Sequence, residues 1–545
     1  MVTNMSDWDA IVIGSGIGGL GAAVALSNLG QRVLVLEQHY LPGGWCHTFA
    51  LDGHKFSPGV HYVGQLQEDG NMRRILEGLG VGSDIEFMEL NPDGFDHIVF
   101  HDETFSIPAG DADFQQRLID RFPSEREGIQ RYFRLLKSVK QGFQHVSDDI
   151  GIWGKIKLLW KTPAFLFSGL KPLAKIVDRH VTDPKLKAIL ESRSGDHGAS
   201  PDEVPFLVQV AVDTHYWDGA WFPKGGGGAI PRAFIRRLKK TGSEIRTRAA
   251  VEQILIEGQD KNRRAVGVRM ANGAEIRAKV IISNADVWMT YNKLVGPTHM
   301  SRRLTNHVNQ LKPSVSALSL FLAADIDAEE LGLDSGNYWI LNDPDVSATY
   351  RLALEKDLSD KGPFPGGFLT ITTKKDPSKM CDGLHSMEAF SFVSHDAFEK
   401  WKDTSFGNRP DDYESFKQHL TERMLDTIES VIPNIREHLK LCELGTPLTN
   451  DFYVATHRGN LYGQAKLLSQ IGPGAPPIET EIHGLYHCGQ STASHGVLGS
   501  LSTGVVAASK ITGITTDELL VYENGKVQCH PAECTSASKP AEAIR

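Results

Sequence analysis

A chain of 545 residues exceeds one compact core, so two or more domains are expected. Its 41% hydrophobic content is that of a folded soluble protein, and a formal net charge of −10 argues against a nucleic-acid partner. No window is long and apolar enough to span a bilayer, and the N-terminus carries neither a basic nor an apolar leader region, so a cytoplasmic location without a signal peptide is expected.

Asp9 to Ile13 is a short apolar run of the kind that forms a buried parallel strand. It leads into Gly14-Ser15-Gly16-Ile17-Gly18-Gly19, whose glycines at 14, 16 and 19 fit GxGxxG. The first permits a tight turn, the second lets a pyrophosphate approach the backbone, and the third lets helix and strand pack closely. An alanine-rich helix follows and ends near Gly30, with its free N–H groups facing the diphosphate. A second strand, Arg32 to Leu36, delivers Glu37, an acid 18 residues past Gly19 where a ribose diol is gripped. These parts in order identify a dinucleotide cradle, but they do not separate FAD from NAD.

The next segment does. Gln38 to Phe49 contains Gly43-Gly44-Trp45, and Phe56 to Tyr62 contains Pro58-Gly59 and His61. Two adjacent glycines directly after the ribose acid bring backbone close to the remainder of a long cofactor, which NAD dehydrogenases do not require there; a simple turn is the competing explanation.

Ser124 to Glu127 fits a capping box, followed by a helical stripe of Ile129, Tyr132, Leu136, Val139, Phe143 and Val146. Residues 151–180 combine Trp153, Ile156, Leu158, Leu159, Trp160, Phe165, Leu166, Phe167 and Leu170 with Lys155, Lys157, Lys161, Lys171, Lys175 and Arg179, against the single acid Asp178. Such a face suits a membrane surface, while a packed amphipathic helix pair accounts for it about as well. Gly225 to Gly228 form a glycine run without a preceding buried strand, so it is not a second nucleotide site; a flexible loop is the alternative to a place near the cofactor or substrate channel. No second Rossmann unit occurs, so any NAD(P)H either binds transiently, as an electron donor only, or is absent.

Strands are expected at Ala249–Ile256, Ala265–Met270 and Val280–Ser283, then at Ser314–Leu322, Tyr338–Leu341, Phe368–Thr373 and Ala389–Val393. Near the end, Gly484 to Gln490 reads as a short strand and turn before a helix that starts around Val497-Leu498, whose N-terminus suits negative charge on a reduced flavin. From Glu523 the tail turns polar and is expected to be loose. Six cysteines, at 46, 381, 442, 488, 529 and 534, form no CxxC pair or Cys/His cluster, so reduced thiols and no metal site are expected.

These motifs carry a resemblance. VLVLEQHYLPGGWCHTF, GVHYVG, Ser200 to Phe206, Phe222 to Gly226, Ile282 to Ala285, Phe452-Tyr453, Arg458-Gly459 and Cys488-Gly489-Gln490 resemble the phytoene desaturase-like flavoproteins, and within them the retinol saturase and carotenoid isomerase branch. The likeness runs nearly to residue 515. It implies an α/β fold: a discontinuous Rossmann-type FAD-binding domain (1–66, 205–292 and 475–515) and an α+β substrate domain with an antiparallel sheet and a helical lid (67–204 and 293–474), followed by a polar tail (516–545). It implies FAD, bound by Gly14, Ser15, Gly16, Ile17, Gly18, Gly19, Glu37, Gln38, Gly43, Gly44, Trp45, His61, Val251, Ala285, Gly489, Gln490 and Leu498, with the backbone at Val251 meeting the adenine. Many relatives have Gly-Asp where this chain and the saturases have Gly489-Gln490, so a neutral amide meets the ribityl or phosphate groups.

The implied chemistry acts on CH–CH bonds: reduction of a double bond in retinol or a related terpenoid. A carotenoid cis–trans isomerase or desaturase is the alternative, and a flavin-stabilised lipid carrier without turnover the alternative of another class. Each implies a lipophilic small-molecule substrate. The catalytic group stays unassigned; proton-donor candidates are His61, Tyr62, His215 and His457, with Tyr216, Tyr462 and His495, each equally explained by packing or cofactor contact. Oligomeric state is not legible.

Overall fold

The computed structural model describes residues 8–143 and 163–533. Val146 and residues 151–162 of the greasy, basic stretch lie outside the described residues. Among the described residues, no helix is long and apolar enough to cross a membrane.

The nucleotide-side sheet runs in the order Val251–Glu257, Arg264–Met270, Glu275–Ser283, Trp8–Ile13, Val33–Leu36, Glu244–Arg246, with Leu485–His487 also on Glu275–Ser283. Trp8–Ile13 pairs in parallel with both neighbours, Ala10 facing Val33 on one side and Val280 on the other. Val33–Leu36 is buried along its whole length, which is why it reads as an unbroken apolar run. Helix Ile17–Asn28 is buried on nearly every side and packs against the C-terminal helix Gly496–Thr512. The approach is so close that a Cβ on Gly504 would lie 2.0 Å from the Gly18 carbonyl oxygen.

The second sheet runs Leu439–Gly445, Ser316–Ala324, His385–Val393, Gly366–Ile371, Asn337–Leu341, Asp96–Val99, Thr104–Ile107. It departs from the expected antiparallel sheet at one joint: Asn337–Leu341 pairs in parallel with Asp96–Val99, half of a hairpin donated from far upstream. The expected strand Phe368–Thr373 stops at Ile371, because Thr372–Lys375 turns into a short helix that buries Lys375 completely.

Three further expectations are corrected. Ser124 does not cap a helix; it sits inside a 3-10 turn, Pro123–Glu125, that leads into helix Arg126–Phe143, while Glu125 accepts from the Thr182 and Asp183 amides instead. The Gly225–Gly228 run is no flexible loop: its amides donate to Asp376, Ser57 Oγ and Thr48 Oγ1 at 2.6, 2.9 and 2.8 Å. The tail is docked through Glu533. Gln528–Pro531 pairs in parallel with Glu86–Glu89, and Leu519 and Val527 are buried, because two apolar side chains suffice to anchor an otherwise polar segment.

The hydrophobic clusters draw the seams differently from the expected boundaries. Helix Phe206–His215 packs with Tyr132, Leu186 and Phe368 in the lid cluster, and packing on the nucleotide side resumes only at Trp221 and Ile230. Conversely, Met72 to Phe87 packs with Val24 and Leu26, and Tyr291 to Val308 packs under the strands that carry Ile254 and Val268. An amphipathic helix buries its stripe on whichever sheet face is nearest, and the linear sequence does not state which one that is.

Candidate active site

A cleft enclosing about 1870 Å³ of empty space, its open mouth included, separates the two sheets.

The nucleotide-side wall is mostly backbone. Gly14 ends the first strand with φ +90°, and its amide donates to the Leu36 carbonyl at 2.8 Å, tying the two strand ends together. Glu37, nearly fully buried, then joins three segments. Its Oε2 accepts from the Ser15 amide at 2.9 Å and the Ser15 hydroxyl at 2.6 Å, and its Oε1 accepts from the His39 amide at 2.8 Å. The Ser15 hydroxyl in turn accepts from the Gly43 amide at 2.9 Å. Asn284 Oδ1 accepts from the Gly19 amide at 2.9 Å and holds the loop from the other side. The bare cradle is sterically required, since a Cβ on Gly18 would stand 2.7 Å from Gly489 Cα. Gly16, Ile17 and Gly18 bring the helix N-terminus to the cleft, an arrangement that fits a diphosphate.

Of the seventeen cofactor residues expected from sequence, Ser15, Gly19 and Leu498 do not line the cleft. Ser15 and Gly19 lie behind its surface, holding Glu37 and Asn284. At the helix Gly496–Thr512, Gly496, Val497 and Ser500 line the cleft in place of Leu498, since positions 496, 497 and 500 share one helix face and 498 lies off it. Gly14, Gly16, Ile17, Gly18, Glu37, Gln38, Gly43, Gly44, Trp45, His61, Val251, Ala285, Gly489 and Gln490 all line it.

The opposite wall comes from the second sheet: Ala317, Ser319 and Phe321 from one strand, Glu388, Ala389 and Phe390 from its neighbour, with Leu461 and Tyr462. Among the proton-donor candidates, only His61 and Tyr462 reach the cleft. The Tyr62 hydroxyl donates to Asp196 at 3.0 Å, its ring stacks on Tyr216, and burial pushes both phenols well above the ordinary range. His215 Nε2 accepts from the Gly64 amide, and burial lowers the ring to about 4. His457 stacks on Trp288 at 4.2 Å, and His495 contacts the Asp196 carbonyl. These five rings are packing elements here.

Sequence reasoning missed Asn284 and Glu388. Glu388 is 1% exposed within an otherwise apolar strand; an acid inside SMEAFSF was the available signal. Its Oε1 accepts from the Ser57 amide at 2.7 Å, and its Oε2 lies 3.1 Å from His61 Nδ1.

The family described as flavin containing amine oxidoreductase matches residues 17–345. An all-trans-retinol 13,14-reductase of Danio rerio is 31% identical, over 93% of this chain and 86% of its own length. A chloroplastic prolycopene isomerase of Daucus carota is 30% identical over 93% of this chain and 80% of its own. Among solved structures, an oxidoreductase from Methanosarcina mazei (TM-score 0.62, 19% identity, 91% of this chain and 99% of that one) shares the fold. So does putrescine oxidase (TM-score 0.59, 13% identity, 93% and 99%).

Proposed function

The chain belongs to the flavin containing amine oxidoreductase family, with FAD as its cofactor, and on that premise we propose that it reduces a carbon–carbon double bond of an isoprenoid polyene, retinol or a related terpenoid. The carrying observation is the cleft itself, in which a glycine-and-carboxylate cradle on one sheet faces an aromatic, aliphatic wall on the other. The retinol reductases matched along almost the whole chain support that substrate class.

In this reading Gly14, Gly16 and Gly18 receive the diphosphate, Glu37 the ribose, and Gly43, Gly44 and Gln490 the middle of the cofactor. When bound, the reduced flavin supplies hydride. The chain's own part is positional: Phe321, Phe390 and Leu461 hold an apolar chain, exclude water and fix one double bond at reacting distance. Prolycopene isomerases matched at similar identity favour a second reading, cis–trans isomerisation on the same site.

We also infer peripheral attachment to a lipid surface through residues 163–180. There Phe167 is 63% and Leu170 36% exposed, beside Lys171, Lys175 and Arg179.

One comparison separates the chemistries: pre-reduced and oxidised enzyme, each with all-trans-retinol and with a carotenoid, without oxygen, followed by mass analysis. A product heavier by two hydrogens supports reduction, and an isobaric cis–trans product supports the isomerase. A product lighter by two hydrogens, formed only by oxidised enzyme, would establish a desaturase and overturn both.

A further inference from the structure

The cleft wall opposite the cradle should be purely greasy if its only task were to hold a polyene. It carries a buried ionic cluster instead. Glu388 sits on strand His385–Val393, and its two oxygens are used separately, one by the Ser57 amide and one by His61 Nδ1. The His61 ring packs against the stacked pair Phe368 and Phe390, at centroid distances of 5.0 and 5.8 Å. Its backbone is fixed from behind, because Lys375 Nζ donates to the His61 carbonyl at 2.7 Å. Lys379 Nζ lies 3.9 Å from Glu388 Oε1 and has no hydrogen-bond partner among the described residues. Burying two ammonium groups and a carboxylate is costly, and such a cluster is expected at a functional site more than in an inert wall.

His61 Nδ1 is taken by the carboxylate, while Nε2 makes no hydrogen bond among the described residues and is not sealed from the cleft. His61 lines the cleft, so Nε2 is the nitrogen left to it. A carboxylate on Nδ1 fixes the tautomer and stabilises the imidazolium, as a base–orienter pair does.

We propose that His61 is the proton donor to the polyene and that Glu388 is its positioning residue. The inference rests on the reductive reading above. One alkene carbon takes hydride from the reduced flavin. At the other, the Nε2–H bond breaks, its electron pair stays on nitrogen, and a C–H bond forms from the alkene π electrons. The substrate gains two hydrogens, the imidazolium becomes neutral imidazole, and water at the cleft mouth returns the proton. Beyond Glu388, the charged groups around the pair are Lys375 and Lys379, with Asp96 and Asp334 facing Lys375, and Asp376 and Lys55 facing Lys379. Burial lowers the Lys375 ammonium to about 7.

The test uses the full-length, FAD-loaded protein and its Glu388→Gln, Glu388→Asp and His61→Gln variants. Flavin absorbance per chain checks that each variant folds and holds cofactor. Anaerobic oxidation of the pre-reduced enzyme by all-trans-retinol should slow about 100-fold or more in Glu388→Gln and His61→Gln, with partial recovery in Glu388→Asp. Histidine-labelled NMR should show neutral His61 held in its Nδ1–H tautomer in the parent and divided between tautomers in Glu388→Gln, whose amide can accept or donate. Wild-type rates in flavin-replete Glu388→Gln and His61→Gln would overturn the proton-donor role. Wild-type protein inert towards retinol and carotenoid would instead count against the reductive reading; the tautomer then decides the pair, and an Nδ1–H tautomer unchanged in Glu388→Gln overturns it.

Discussion

The two walls of the cleft are built on opposite principles. The cradle wall uses bare backbone: close-packed glycines, a helix N-terminus and one carboxylate, held by short-range bonds among Ser15, Glu37, His39 and Gly43. The substrate wall is β-sheet carrying large side chains, with ionisable groups buried behind it. Arg193, 3% exposed, lies between Asp96 and Asp213, at 3.5 and 3.6 Å. Burial raises Asp196 to about 8 and lowers Lys375 to about 7. A cofactor of fixed shape is met by backbone, which cannot be mutated away; a variable substrate is met by side chains, whose cost is borne by the fold.

Substitutions should therefore separate the walls. The largest effect is expected at the cradle. Gly16→Val places bulk where a Cβ already stands 2.6 Å from Asn284 Nδ2, and the purified variant should be colourless. A fully yellow preparation would refute the placement of the diphosphate.

On the substrate wall, Arg193→Met strands the Asp96 and Asp213 carboxyls. A loss of about 3–5 kcal/mol of stability is expected in chemical denaturation, with flavin still bound. If flavin is lost at native concentrations of denaturant, the walls are not energetically separate.

Glu37→Gln should weaken FAD about tenfold, the equivalent of one charged hydrogen bond, in a fluorescence titration of apoprotein. Unchanged affinity would mean that the carboxylate serves only Ser15 and His39.

A smaller effect with a definite sign is expected at Lys466, buried and without an ionic partner among the described residues, which desolvation lowers to about 7. Its unfolded value is near 10.4, so unfolding takes up a proton between about pH 7 and 10, and stability rises with pH across that window. Lys466→Met removes this slope. The variant should melt roughly 2–4 °C above the parent at pH 6, with the advantage shrinking towards pH 10. A pH-independent difference would show that burial leaves the Lys466 ammonium unshifted.

The smallest effect is on lipid binding. Phe167→Ser with Leu170→Ser should reduce co-sedimentation with anionic vesicles a few-fold, and unchanged binding would remove residues 163–180 from the contact.

The cradle was legible because its parts lie within one stretch of chain. Strand, glycines, helix, second strand and Glu37 all fall between Asp9 and Glu37, and GxGxxG needs only local geometry to be recognised. The substrate wall was not, because its contacts join residues hundreds of positions apart. His61 and Glu388 are 327 residues from each other, and neither position marks the pair.

The sequence by itself determined that a strand must run into a backbone cradle at Gly14, that an acid must follow at Glu37, and that the family's paired glycines come next; those constraints are steric and local. Only the tertiary structure decided that Tyr62, His215, His457 and His495 turn away from the cleft while His61 faces it, that Ser15 and Gly19 stand behind the surface, and that the polar tail docks beside Glu86–Glu89. The direction a side chain faces is fixed by which sheet its segment packs against, and that choice is made by burial of apolar area summed over the whole chain.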